Sequence, residues 1–235
     1  MMNKKCSFNT RKNIAFMFSL SEENYLKTIF HLEKIYSGGV STNALAGEME
    51  TKASSVTDML KKLSQKKLVK YRKYQGVQLS DKGHKAAVEV IRKHRLWEVF
   101  LVETLNFSWD EVHDIAEQLE HIKSEKLTQE LDKFLEFPKR DPHGDPIPDA
   151  EGNFRISNKV LLADLEEGES GICVGVKDSS TEFLQYLDKN NIALGKSVTV
   201  VHREAYDESL FIKINDEDLH AVSYTHLTLP TILRV

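Results

Sequence analysis

The chain is short of several things, and each shortage removes a class of protein. Its 235 residues include two cysteines. These, Cys6 and Cys173, stand far apart in dissimilar surroundings, so there is neither a disulfide framework nor a cysteine-rich zinc site. A reducing, cytoplasmic setting is expected. No run approaches the roughly 18 to 20 apolar residues that cross a bilayer, and the apolar stretch at residues 13–20 is too short for a signal peptide. No membrane association is expected. There is no internal repeat and no low-complexity tract, and with 40% apolar and 29% charged residues the composition is that of a globular chain. An excess of one charge is missing too: 32 basic residues against 36 acidic ones leave −4, which excludes a uniformly basic nucleic-acid coat.

What is present is a polarised layout hidden by that near-neutral total. Over residues 52–85, ten lysines and arginines face only Asp58 and Asp81. Over residues 98–136, eleven acids face only Lys123, Lys126 and Lys133. The first segment suits a polyanion and the second suits cations. The plainer alternative is two solvated helix faces of opposite sign, and residue order has to decide.

From Ser21 onward a cap and the acids Glu22 and Glu23 start a helix, with Tyr25, Ile29, Leu32 and Tyr36 at helical spacing and Gly38-Gly39 as the stop. Ser41-Thr42 caps a short helix through Met49. Lys52-Ala53-Ser54-Ser55 opens another, with Val56, Met59, Leu60 and Leu63 on its apolar side. Two short strands, residues 68–71 and 77–79, flank a turn at Gln75-Gly76. Helix, short helix, turn, helix and hairpin make a winged helix-turn-helix. A long helix from Asp81 to about Leu105 follows, then one or two helices between Trp109 and Glu136. The loop Pro138-Lys139-Arg140-Asp141-Pro142-His143-Gly144-Asp145-Pro146-Ile147-Pro148 holds four of the five prolines and reads as a domain boundary. Beyond it, strands near residues 171–176, 197–201 and 210–214 surround a helix at 181–190, as in a small β-barrel. The fold class is mainly α with small β. Residues 222–235 carry no turn chemistry to pack them back and resemble a spurious tail, with a native extension as the alternative.

In the basic segment, Ser54, Ser55 and Thr57 form a helix start that lets the backbone approach a DNA major groove, and Lys61 and Lys62 reach phosphates one turn on. The free N–H groups of that turn favour phosphate oxygens as well. Base readout is assigned to Lys52, Ser54 and Asp58, the last accepting from a cytosine amino group. Arg72 and Lys73 lie in a wing beside the backbone. In the alternative, Ser54, Ser55 and Thr57 merely cap the helix and the lysines are solvated.

In the acidic segment, His113, Glu117, Glu120 and His121 are spaced to share one helical stripe, and His94 and Glu98 form a second i, i+4 pair on the long helix. Two facing helices then offer up to six N/O ligands without thiolate, a set suited to Mn²⁺, Fe²⁺, Co²⁺, Ni²⁺ or Zn²⁺. Two rival readings are a carboxylate-bridged metal enzyme, which wants a Glu-x-x-His motif from each of two helices plus further bridging glutamates where a single Glu-x-x-x-His occurs in the acidic helix here and the winged helix has no role, and a winged-helix regulator whose His/Glu stripe is only structural.

These residues together resemble the diphtheria-toxin-repressor family of iron- and manganese-dependent transcriptional repressors, from about Ser21 to His220. The most specific stretches are residues 23–29 (Glu23-Asn24-Tyr25-Leu26-Lys27-Thr28-Ile29), residues 92–98, Val112-His113-Asp114 through Glu120-His121, and residues 142–148. The resemblance implies a homodimer on a double-stranded DNA operator, and no enzymatic activity. Together with the composition, it gives a layout of flexible lead (1–20), winged-helix DNA-binding domain (21–85), helical metal-binding and dimerisation domain (86–140), proline-rich linker (141–155), SH3-like domain (156–221) and a tail read as non-native (222–235). By resemblance, His94, Glu117, Glu120 and His121 fall at the regulatory metal, and His94, Glu98 and His113 at an additional metal site, with His94 standing at both. Glu117 replaces the cysteine of iron-type members, so Mn²⁺ is favoured over Fe²⁺. Asn24 stands where manganese members have aspartate and iron members methionine, and Lys27 where one manganese branch has a glutamate ligand. The implied mechanism is linkage: metal joins the first helix to the second domain and sets the spacing of the two recognition helices of a dimer.

Overall fold

A computed structural model describes residues 18–72, 75–154, 159–206, 209–215, 217–222 and 231–233, the last two stretches by their backbone alone. It divides into two compact units, Met1–Gln78 and Leu79–Val235.

In the first unit, α1 (Leu20–Glu33) is capped by Ser19 and not by the expected Ser21. The reason lies three residues on. Glu22 N donates to Ser19 Oγ at 3.3 Å and Ser19 N donates to Glu22 Oε2 at 2.9 Å, a reciprocal box that Ser21, followed at that spacing by Asn24, is not given. The helix ends at Glu33 with Lys34 as its C-cap, so Tyr36 lies beyond it. Next come α2 (Thr42–Glu48), capped by Ser41, and α3 (Ala53–Gln65). Leu26, Ile29, Leu45, Val56, Leu60 and Leu63 are fully buried, one apolar face from each helix. The wing is β1 (Val69–Arg72) paired with β2 (Gly76–Leu79). Gly76 sits at φ +87, where a β-carbon would come within 2.8 Å of the Val40 carbonyl oxygen. Only glycine fits that turn.

The second unit opens with α4 (Asp81–Leu105), capped by Ser80 and closed by Asn106 in the left-handed region. The expected one or two helices are two, α5 (Val112–Leu119) and α6 (Glu125–Phe134). Leu96, Val99, Leu131 and Ile147 form a buried cluster, with Trp97, Phe100 and Leu135 against it. Ile147 belongs to the loop read as a linker, and that reading is corrected. Arg92 donates to the Pro148 carbonyl at 3.2 Å, Arg95 donates to that of Pro146, and Arg140 pairs with Pro146 as an isolated bridge. The prolines stiffen a loop packed on α4, with its carbonyls satisfied by two arginines.

The remainder comprises β3 (Val160–Leu161), a 3-10 turn (Leu162–Asp164), β4 (Ser170–Gly175), α7 (Thr181–Lys189), β5 (Ser197–Arg203), β6 (Leu210–Ile214), β7 (Glu217–Val222) and β8 (Thr231–Leu233). Among the described residues the strands form one antiparallel sheet in the order β3-β8-β4-β5-β6-β7. Phe183, Leu184 and Leu187 of α7 share its core with Cys173, Val198, Val200, Leu210 and Ile212. That Cys173 thiol is pushed up to about 11 by burial. The expectation that the final segment does not pack is corrected for Thr231–Leu233, which pair by main chain with β3 and β4. Main-chain pairing asks only for an extended backbone, so missing turn chemistry does not prevent it. Residues 223–230, 234 and 235 lie outside the described set. No helix among the described residues is long and apolar enough to cross a membrane.

Candidate metal centre and nucleic-acid face

The i, i+4 spacing of His94 and Glu98 on α4 does what helical geometry requires: His94 Nε2 lies 3.0 Å from Glu98 Oε1. Across from them, α5 brings His113 Nδ1 to 3.5 Å from the same Glu98 oxygen. Donor atoms of His94, Glu98 and His113 all lie within 4.8 Å of one another. The other ring nitrogen of His94, Nδ1, meets Glu120 Oε2 at 2.6 Å, and His121 Nε2 is 3.6 Å from Glu120 Oε1. His113 Nε2 is 3.8 Å from Glu117 Oε1 at the exposed end. All six expected ligand residues therefore form one chain of neighbours, running His121, Glu120, His94, Glu98, His113, Glu117. The single helical stripe is corrected in one respect. α5 ends at Leu119 with Glu120 as its cap, so His121 lies past the helix.

Two residues were missed in the sequence. His143 Nδ1 stands 3.6 Å from Glu98 Oε1, and Glu98, Asp141 and His143 form a second group of converging donors, all three buried. Both newcomers sit in the proline-rich loop, whose composition reads as a connection. The legible signal was a histidine two residues after an aspartate, directly behind the acidic helices. Arg95 holds this loop on α4, with Nε 3.3 Å from Asp141 and Nη2 2.7 Å from Asp145.

The electrostatics centre on Glu98. Burial disfavours its charge, but hydrogen bonds from His113, His143 and His94 overcome that and hold the carboxyl far below the usual range. Burial lowers His143, and the Glu98 carboxylate more than reverses it, so its net shift is upward. Asp141 is pushed up to about 7 by burial and by the charge of Glu98, against the pull of Arg95. A carboxylate accepts and cannot donate, so both His94 contacts are hydrogen bonds only while both ring nitrogens carry protons. The donors fit a divalent cation: imidazole nitrogen and carboxylate oxygen, with no thiolate, around a buried anion.

On the first unit, Lys52, Ser54, Ser55, Asp58, Lys61, Lys62 and Arg72 are exposed, and Thr57 is partly so. Lys52 gives α3 no side-chain cap, and Thr57 Oγ1 donates to the Ala53 carbonyl at 2.9 Å. Lys73 lies outside the described residues. The lysines are not all at liberty. Lys61 is 3.0 Å from Asp58, while Lys62 and Lys66 lie 3.1 and 2.6 Å from the buried Glu22. Burial raises the Glu22 carboxyl, but the bonds from Lys66, the Ser19 main chain and Lys62 prevail and bring it to about 2. α1 also carries Asn24, whose Oδ1 is buried without a hydrogen-bond partner.

A winged helix joined to a helical unit with buried His/Glu donors defines a class of metal-binding, DNA-binding protein. Residues 17–77 match the family described as "Iron dependent repressor, N-terminal DNA binding domain", residues 80–149 its "metal binding and dimerisation domain", and residues 160–226 the FeoA domain. A solved "Manganese-dependent transcriptional repressor complex with manganese" is 33% identical with a TM-score of 0.81, over 91% of this chain and 100% of that one. The "Iron-dependent repressor IdeR" of Mycobacterium leprae is 35% identical over 127 residues, 54% of each chain, so this chain spans about half the length of that relative. The "Diphtheria toxin repressor" of Corynebacterium diphtheriae is 28% identical over 196 residues, covering 78% of this chain and 85% of that one. The chain belongs to the iron-dependent repressor family.

Proposed function

We propose that the protein is a metal-dependent transcriptional repressor that senses Mn²⁺ in preference to Fe²⁺, binds operator DNA as a homodimer and catalyses no reaction. The observation that carries this reading is the convergence of His94, Glu98 and His113 within 4.8 Å, in the segment matching the family's metal-binding domain. His94, Glu98, His113 and His143 would hold one ion, and Glu117, Glu120 and His121 extend the donor set. With Glu117 in place of a thiolate, every donor is nitrogen or oxygen, which supports Mn²⁺ over softer ions. A bound ion would supply positive charge beside the buried Glu98 carboxylate. The exposed start of α3, with Lys52, Ser54, Ser55, Asp58 and Lys61, is the surface for DNA, with Arg72 in the wing. If metal favours the DNA-binding state, DNA must raise metal affinity by the same factor. Operator binding followed by fluorescence anisotropy is expected to tighten on adding Mn²⁺, and coincident curves with and without Mn²⁺ would overturn the reading.

A further inference from the structure

We infer that Trp109 is a positioning residue, which orients His143 toward Glu98 and couples the donor cluster to the seating of the C-terminal sheet domain. This inference rests on the metal-sensing reading above. His143 Nε2 lies 2.8 Å from the Trp109 carbonyl oxygen. A carbonyl only accepts, so Nε2 carries a proton, and once the ring gives up the Nδ1 proton that faces Glu98 at 3.6 Å it presents its lone pair at Nδ1. The two rings also stack, with centroids 6.2 Å apart and planes at 17°. One residue thus fixes the tautomer and the plane of His143.

The other end of Trp109 belongs to the sheet domain. Its indole packs on the core formed by α7 and the strands, and Nε1 donates to Asp188 Oδ2 at 3.0 Å. The next residue is gripped as well: Thr181 Oγ1 donates to the Asp110 carbonyl at 3.2 Å, and Gln185 Nε2 donates to Asp110 Oδ2 at 2.9 Å. Three residues of α7 therefore hold Trp109 and Asp110, and Trp109 holds a donor. Neither Asp188 nor Gln185 belongs to the donor cluster, so any effect of them on metal has to pass through this contact. By reciprocity, a cation that fixes His143 also tightens the grip of α7.

The test is a calorimetric Mn²⁺ titration of the full chain, compared with Asp188→Ala, Gln185→Ala and Trp109→Phe, and with Glu182→Ala, an exposed change on the same helix, as control. Hydrogen exchange of residues 181–189 is measured with and without Mn²⁺. The first three variants are expected to lose about 5- to 10-fold in Mn²⁺ affinity, less than or at the low end of what losing a direct partner of a ligand costs, while Glu182→Ala titrates like the parent. Mn²⁺ is expected to slow exchange across α7. The ¹⁵N shifts of His143 at alkaline pH are expected to show the Nε2–H tautomer in the parent and a mixture in Asp188→Ala, a signature that general loosening of the domain does not produce. Unchanged Mn²⁺ affinity in Asp188→Ala and Trp109→Phe, or α7 exchange indifferent to Mn²⁺, overturns the coupling while leaving the metal-sensing reading intact. A parent protein that binds no Mn²⁺ overturns both.

Discussion

Two buried glutamates, one in each unit, are surrounded by nitrogen and depressed in pKa, yet they are chemically opposite. Glu22 is met by ammonium groups, Lys66 at 2.6 Å and Lys62 at 3.1 Å. Glu98 is met by imidazoles, those of His94, His113 and His143 at 3.0 to 3.6 Å. An ammonium keeps its proton across the physiological range and offers no lone pair, so the Glu22 cluster is a closed knot tying α1 to α3. An imidazole sheds its proton near neutrality and then becomes a ligand. The partners of a buried carboxylate, and not its burial, decide whether it is a brace or a site.

The contrast is broken most directly at Glu98. Glu98→Gln is expected to weaken Mn²⁺ binding by about 100-fold or more, at or beyond the upper end of the loss for a ligand's supporting partner, measured by calorimetry; a parent-like isotherm would show that Glu98 is a brace as well. Glu22→Gln is expected to leave the Mn²⁺ isotherm unchanged and to cost about 1 to 2 kcal/mol in urea unfolding, toward the low end of hydrogen bonds to charged groups because the lysines are half exposed. The pH dependence sharpens the same point. Glu22 titrates at about 2 in the fold against an ordinary 4.5, so its stabilisation is fully present above 4.5 and is lost as pH falls toward 2. The urea midpoint of the parent is expected to drop through that window more steeply than that of Glu22→Gln, and parallel curves would remove Glu22 from the account. At the other cluster, Mn²⁺ has to displace imidazole protons, so affinity is expected to rise with pH and proton release to appear in calorimetry across buffers of different ionisation enthalpy. The smallest effect is on DNA. Lys52→Ala is expected to reduce the salt slope of binding by about 1, as for one phosphate contact, with no change in stability, whereas Lys62→Ala should also lower stability because it opens the Glu22 knot.

Much of this was legible in residue order wherever the determinant is local. The i, i+4 pair His94 and Glu98, the long α4, the helix pair of the DNA-binding unit and its hairpin all follow from spacing and turn chemistry. Local rules failed by small margins at ends: the cap moved from Ser21 to Ser19 because Glu22 completes a box only with the latter, and His121 fell past the end of α5. What stayed hidden was non-local. Glu22 and Lys66 are 44 positions apart, and nothing in either neighbourhood announces the pair. Asp141 and His143 were lost for a different reason, because a segment with four prolines has the composition of a connection whether it is solvated or packed. Packing was decided by Arg92 and Arg95, on a helix some 50 residues earlier.

Gly144, next to His143, has φ +85, and a β-carbon there would lie 2.1 Å from the Val174 carbonyl oxygen and 2.3 Å from the Gly175 Cα. The loop and strand β4 are thus spaced by the thickness of a bare main chain. A methyl group at that point, touching no donor and altering no charge, would act as a wedge that lifts His143 away from Glu98. The tolerance of the whole centre is set by a residue with no side chain to contribute.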